Sequence, residues 1–133
     1  YSPTSPMKAL KIVMRVLFGL LMILPVLGTL NVFPPPTPDQ FSPAGWAFMQ
    51  ALMATGYMLP MVGVTCAVCL VLVIMGRMAL AAVILTPLTV NIVLFHLVLD
   101  GSFFSPAATP AWILLIINAF FLWTERKKYR TFW

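Results

Sequence analysis

The chain is predicted to be an all-α integral membrane protein, a four-helix transmembrane bundle with a short interfacial or re-entrant helix between its first and second spans. Three observations predict it. Apolar residues make up 62% of the 133 residues and charged ones only 8%, and the mean hydropathy is +1.01, too apolar for a water-soluble domain of this size. Between Ala9 and Trp123 lie four long apolar stretches. Every Lys and Arg falls at one set of alternate ends: Lys8, Lys11 and Arg15, then Arg77, then Arg126, Lys127, Lys128 and Arg130. The opposite connections carry only Asp39 and Asp100. Short basic flanks stay on the cytoplasmic side and acids contribute little to orientation, so both termini are expected inside.

The net charge of +5 is split among three flanks and does not form one basic and aromatic surface, which argues against nucleic acid and for orientation and lipid contact. Tyr1 to Pro6 is polar and Pro-rich, and Met7-Lys8 reads as a native start. Residues 1–6 are therefore expected to be an appended tail and residues 7–133 a single membrane domain. The long first apolar stretch lacks a small-x-small site before the prolines, which counts against a cleaved signal peptide.

The first span is expected from Leu10 to Phe33, long enough to cross a hydrocarbon core of about 30 Å. Lys8, Lys11 and Arg15 share its basic face, with Arg15 one turn inside, where its stem can snorkel. Pro25 removes one backbone bond and predicts a kink, while Gly19 and Gly28 permit close helix approach. Pro34-Pro35-Pro36-Thr37-Pro38-Asp39 cannot be regular helix and is an outer loop. Ser42-Pro43 reads as an N-cap followed by a first-turn proline, opening a helix that carries Trp46, Phe48 and Met49 to Thr55 and stops at Gly56. That piece is too short to cross, so it lies at the outer interface or is re-entrant, with Trp46 and Tyr57 at headgroup depth.

Pro60 is expected to start the second span, which reaches Met75 and Gly76 before a tight inner turn at Arg77. The third span runs from Met78 to about Leu99. It contains Pro87, and the hydroxyls of Thr86 and Thr89 are placed to take up backbone groups that the proline disrupts. An outer loop at Asp100-Gly101-Ser102 leads to Thr109-Pro110, a cap and first-turn signature. The fourth span runs from Pro110 to Trp123. Trp112 and Trp123 suit interfacial belts. Short connections make consecutive helices antiparallel neighbours.

Cys66-Ala67-Val68-Cys69 places two thiols on one helical face, and a vicinal dithiol can exchange with a quinone or a partner disulfide. No Lys, Arg or His lies within a turn to lower a thiol pKa, so small apolar packing is the competing and favoured reading. His96 is the only histidine. It is a candidate for a hydrogen-bonding pocket residue, a proton carrier or an axial ligand, set against an interfacial histidine paired with Asp100 or a loop carbonyl. No metal site is expected, since a catalytic zinc would need more His or carboxylate ligands than this half supplies. Asn91 and Asn118, each deep in a span, are expected to hydrogen-bond between helices, with ligand contact as the minority reading. At the basic end, Glu125 is the sole acid and is expected to pair with Arg15 or Arg77. Tyr129, Phe132 and Trp133 look like an anchor returning to the interface. No phosphate-binding glycine loop, HExxH or nucleophile elbow is present, which counts against a hydrolase.

The order of features resembles the DoxX-like family of small bacterial four-span membrane proteins. The residues that carry the resemblance are Arg15-Val16-Leu17-Phe18-Gly19-Leu20, Ala54-Thr55-Gly56-Tyr57-Met58-Leu59-Pro60, and Thr86-Pro87 with Val90-Asn91-Ile92-Val93-Leu94-Phe95-His96-Leu97. It covers nearly everything after Met7. The resemblance implies a bacterial inner-membrane protein in a setting where relatives are associated with redox systems, including quinone-linked thiosulfate oxidation and complexes with thiol-handling enzymes. Where the family often has a Lys near the end of the first span and a Glu early in the second, this chain has Asn31 and Cys66. No ion pair or proton role carries over to those positions.

Two functional expectations follow. The leading one is an accessory component that binds an apolar ligand, or a membrane or periplasmic protein partner, near its outer half, with Asn91 and His96 as polar contacts. The alternative is a quinone-linked redox protein using Cys66 and Cys69, with His96 moving protons and a quinone as cofactor. A channel or transporter is disfavoured by the lack of a continuous polar lining. So small a bundle leaves surface for a homo-oligomer.

Overall fold

A computed structural model of the chain describes residues 6–99 and 108–132. Residues 1–5 of the expected tail Tyr1–Pro6 and the expected outer loop at Asp100–Ser102 lie outside them, and Pro6 is the first residue of α1. Among the described residues every regular element is helical: α1 (Pro6–Thr29), α2 (Pro43–Thr55), α3 (Met58–Ile74), α4 (Met78–Leu94) and α5 (Thr109–Thr124). Short 3₁₀ segments cover Pro38–Gln40 and Arg126–Phe132, and a π-helical turn at Phe95–Leu99 prolongs α4.

The helix boundaries follow from local chemistry. α1 starts at Pro6, earlier than Leu10, and stops at Thr29, before the apolar run ends. Asn31, at φ 60°, takes the left-handed position after the helix. The Val32 N–H then reaches the Leu27 carbonyl at 3.2 Å and the Asn31 N–H reaches Gly28 at 3.1 Å, closing the helix before Phe33. The chain runs through Pro25 without leaving the helix. Ser42 does cap α2: its hydroxyl accepts from the Gly45 N–H at 3.1 Å, Pro43 is the first helical residue, and Gly56 ends the helix at φ 75°.

α3 opens at Met58, two residues before Pro60, because a proline in the first turn costs no helical hydrogen bond. Thr55 joins the two helices, donating to the Leu52 carbonyl at 2.7 Å and accepting from the Met58 N–H at 3.1 Å. Between them the chain bends by 87°, so α2 lies across the direction of α3 as a short interfacial or re-entrant piece should. At the other end of α3, Gly76 at φ 80° lets the Arg77 N–H return to the Leu72 carbonyl at 2.8 Å and the Gly76 N–H to Val73 at 3.0 Å. Thr109 is the first residue of α5 and Ala108 its cap, so the expected threonine cap is displaced by one.

The four long helices close into a bundle: α1 packs on α3 and α5, and α4 packs on α3 and α5. Their shared core is Phe18 and Met22 from α1, Cys66, Cys69 and Val73 from α3, Ala81, Ala82 and Leu85 from α4, and Leu114, Ile117 and Phe121 from α5. Phe18 and Phe121 meet at 6.1 Å between ring centroids. Outside that core the surface stays apolar, with Ile12, Val16, Leu20, Val64, Val71, Ile74 and Val98 among the exposed side chains. Only 11% of α1's most apolar window and 28% of that of α4 with its π turn are buried. An apolar surface this extensive fits hydrocarbon and not water. Two helices are long and apolar enough to cross a membrane, α1 and α4 with its π turn, and the bent α2–α3 pair supplies a third if it counts as one span. α5, with 16 residues, is apolar but shorter.

Candidate functional site

Three hollows adjoin at the His96 end of the bundle. The first, of about 190 Å³, lies among α1, α3, α4 and α5 and has Cys66 and His96 in an otherwise aliphatic wall. The second, of about 180 Å³, lies under α2 and is lined by Asn91 together with Phe48, Met49 and Leu52. The third, of about 460 Å³, opens beside the Pro-rich segment and is lined by Thr29, Asn31 and Pro36. Leu88 and Ile92 separate the first two, Pro25 borders the first and third, and Val62 borders all three.

The sequence-predicted residues are thus partly brought together. Cys66 and His96 share one wall, and Asn91 lines the neighbouring hollow. His96 stands in the π turn, a widened helical geometry that frequently accompanies functional sites. An aromatic cluster holds this turn against α2: Phe95 meets Phe48 at 5.7 Å, Phe41 at 6.2 Å and the His96 ring at 5.3 Å, and Phe41 meets Trp46 at 5.7 Å. Ser42 locks the same junction, its hydroxyl donating to the Leu99 carbonyl at 2.8 Å. The expected pairing of His96 with Asp100 involves a residue outside the described ones.

The two asparagines divide. Asn118 is buried in a closed polar node between α5 and α4. Its amide nitrogen donates to the Thr86 hydroxyl at 3.1 Å and the Ala82 carbonyl at 3.3 Å, and its oxygen accepts from the Thr89 hydroxyl at 3.1 Å. Thr86 also donates to the Ala82 carbonyl, at 2.6 Å. Both amide protons are committed, so Asn118 pins α5 to α4, the role that the sequence favours for it. The hydroxyls expected to serve the Pro87 break serve this node. For Asn91 the same expectation is corrected: it is exposed beside its hollow and its side chain makes no hydrogen bond among the described residues, so it is no interhelical pin.

Cys66 and Cys69 are both buried and reduced. The Cys69 thiol donates to the Ala81 carbonyl at 3.8 Å, across the α3–α4 contact, while Cys66 faces the first hollow. The shared helical face therefore leads to two different neighbourhoods. Among the described residues no group of three or more His, Cys, Asp or Glu side chains comes together to hold a metal.

The expected ion pair of Glu125 with Arg15 or Arg77 is corrected. Glu125 pairs with Lys128 at 3.0 Å, one turn on. Arg15 instead donates to the carbonyls of Val73 at 2.9 Å and Ile74 at 2.8 Å. The guanidinium thereby adds a second bond to the Val73 carbonyl, which also accepts from the Gly76 N–H, and takes up the Ile74 carbonyl, at the negative end of the α3 dipole. Arg77 serves as the cap residue of α4. Beyond α5, the Arg126 side chain returns to the Trp123 carbonyl at 2.8 Å and lies 4.4 Å from its ring. The Tyr129 hydroxyl donates to Ala79 at 2.8 Å, tying the last segment to the start of α4. Burial, and secondarily the Glu125 carboxylate, push the Tyr129 phenol above its usual range. The side chain of Phe132, and all of Trp133, lie outside the described residues.

Two contributors had no signal in the sequence. Val62 is one valine among many in α3, and Gly63 packs so closely on Thr29 that a methyl group there would overlap it. Comparison with protein-family models, with curated proteins and with solved structures finds no match.

Proposed function

We propose that this protein is a DoxX-like accessory component of the bacterial inner membrane that binds a slender apolar ligand in the hollows around Val62. The observation that carries the reading is the meeting of three hollows at one valine, with Asn91, Cys66 and His96 set in aliphatic and aromatic walls. Mostly apolar walls with a few placed polar groups are the usual make-up of a small-molecule site. The polar groups would orient one end of the ligand. In this reading all four long helices cross the membrane with both termini cytoplasmic, which the gathering of basic residues near one end supports. The hollows and His96 then face the periplasmic half, where a partner of the same system would meet α2.

Burial of both thiols, and the Cys69 bond to Ala81, favour packing over a quinone-linked dithiol. The test is extraction of the protein in mild detergent, followed by native mass spectrometry and organic extraction. A bound apolar compound is expected in the native protein and its loss in Val62→Phe, which fills the junction. An empty native protein without a co-purifying partner would overturn the reading. Retention of the compound in a folded Val62→Phe would overturn the assignment of the site.

A further inference from the structure

The opposite end of the bundle carries a second hollow with a different chemistry. A groove of about 410 Å³ runs between α1 and α3, lined by Ile12, Val16, Gly19, Leu20 and Ile23 on one side and by Leu70, Val73 and Ile74 on the other, with Arg15 as its one charged member. From Ile12 to Ile23 it covers about 16 Å of helix axis, close to half of a hydrocarbon core of about 30 Å, the depth of one leaflet. Its walls face outward: Ile12, Val16, Leu20, Ile23 and Ile74 are all exposed.

Positive charge gathers at the mouth. Lys11 lies one helical turn before Arg15 and Lys8 nearly two turns before it, on the same face of α1. Arg15 spends two of its five N–H donors on Val73 and Ile74. That anchors the guanidinium at the end of the groove and leaves the remaining donors for another acceptor. The one acid among the described residues of this end, Glu125, is held by Lys128, so it does not balance Lys11 and Arg15. The tail of the site is thus shaped for hydrocarbon and its head for a negative oxygen.

We propose that the α1–α3 groove is a binding site for an anionic phospholipid, with one acyl chain lying along the groove over Gly19 and Val73 and the phosphate at Lys11 and Arg15. Net charge, and not the phosphate alone, sets the preference, because Lys11 and Arg15 meet no carboxylate among the described residues. The site needs neither the hollows around Val62 nor any assignment of sidedness.

The full chain in detergent, titrated with phosphatidylglycerol or phosphatidylcholine of the same chain length and read by native mass spectrometry, tests this. Phosphatidylglycerol is expected to bind at least about fivefold more tightly, the effect of one basic side chain near an anionic surface. Lys11→Gln should remove most of that preference. Gly19→Leu should weaken both lipids by filling the groove, since a Cβ there meets nothing closer than Val73 Cγ1 at 3.6 Å and the helix accepts it. Lys127→Gln, at a residue that does not line the groove, should change nothing. Equal binding of the two lipids, or a preference that survives Lys11→Gln, would overturn the proposal. So would a preference lost equally in Lys127→Gln, which would mean diffuse charge. Displacement of phosphatidylglycerol by millimolar inorganic phosphate would overturn the role given to the acyl chain.

Discussion

Gly63 and Thr29 set the distance between α3 and α1. A Cβ built at Gly63 would overlap the Thr29 hydroxyl and stand 2.6 Å from Thr29 Cβ, so only glycine permits this approach. Thr29 is itself held, its hydroxyl donating to the Pro25 carbonyl at 3.0 Å. Small residues at a crossing let membrane helices gain contact where no hydrophobic force drives them together. Gly63→Ala is therefore expected to lower stability by about 1–3 kcal/mol, the usual cost of overpacking. Thermal unfolding in detergent checks it, and Thr29→Gly in the same chain should recover part of the loss.

The Asn118 node gives a second expectation. Replacing Asn118 by Leu removes three hydrogen bonds and strands the Thr89 hydroxyl in the core. Membrane hydrogen bonds average about 0.6 kcal/mol, so a loss of about 1–2 kcal/mol is expected. Asn91→Leu, exposed and unbonded, should leave stability within about 0.5 kcal/mol of the parent. If the two leucine variants behave alike in unfolding measurements, the division between the asparagines is wrong.

Thiol labelling should separate packing from redox use. Both cysteines are buried, at 1% and 0% exposure. A maleimide is expected to label neither in the folded protein within minutes and both after denaturation. Cys69→Ser should cost more stability than Cys66→Ala, because its polar side chain enters a fully packed contact with α4, whereas Cys66 borders a hollow. Rapid labelling of folded protein, or a disulfide formed by mild oxidant, would restore the dithiol reading.

The Tyr129 contact carries a pH dependence. Its phenol is held above the ordinary value of 10.0, first by burial and then by Glu125. The folded protein therefore keeps this proton where the unfolded chain releases it, and stability falls with rising pH across that interval. The contribution is complete below about pH 10 and disappears as pH passes the raised folded value. Tyr129→Phe should start lower, by about 0.5–1.5 kcal/mol for the lost bond to Ala79. Its unfolding midpoint should then fall less steeply than the parent's above pH 10.

Much of the architecture was legible because its punctuation is chemical. Ser42-Pro43, Gly56 and Gly76-Arg77 are caps and turns whose residues have few other uses, and the structure places an element boundary at each. The lateral arrangement was not legible. A membrane helix is apolar on all sides, so periodicity does not say which face turns inward. Asn91 and Asn118 sit in similar runs, and only the rotation of their helices distinguishes a pin from an exposed amide. Charges are visible in a sequence and so match Arg15 with Glu125, while the carbonyl acceptors at the end of α3, Val73 and Ile74, are not. Asn31 was read as part of a span since hydropathy is blind to a positive φ, which here ends α1 before its apolar run does.

Val62 turns the interior into a gauge. Hollows of about 180 and 190 Å³ are each smaller than the usual ligand pocket of roughly 300–1,000 Å³. An occupant of ordinary size that reaches Cys66, His96 or Asn91 must extend out of one of them into a neighbouring hollow and pass beside Val62, a β-branched side chain with few rotamers with which to make room. Discrimination at such a junction acts on cross-section: a narrow chain threads it, and a bulky ring of the same polarity stops short.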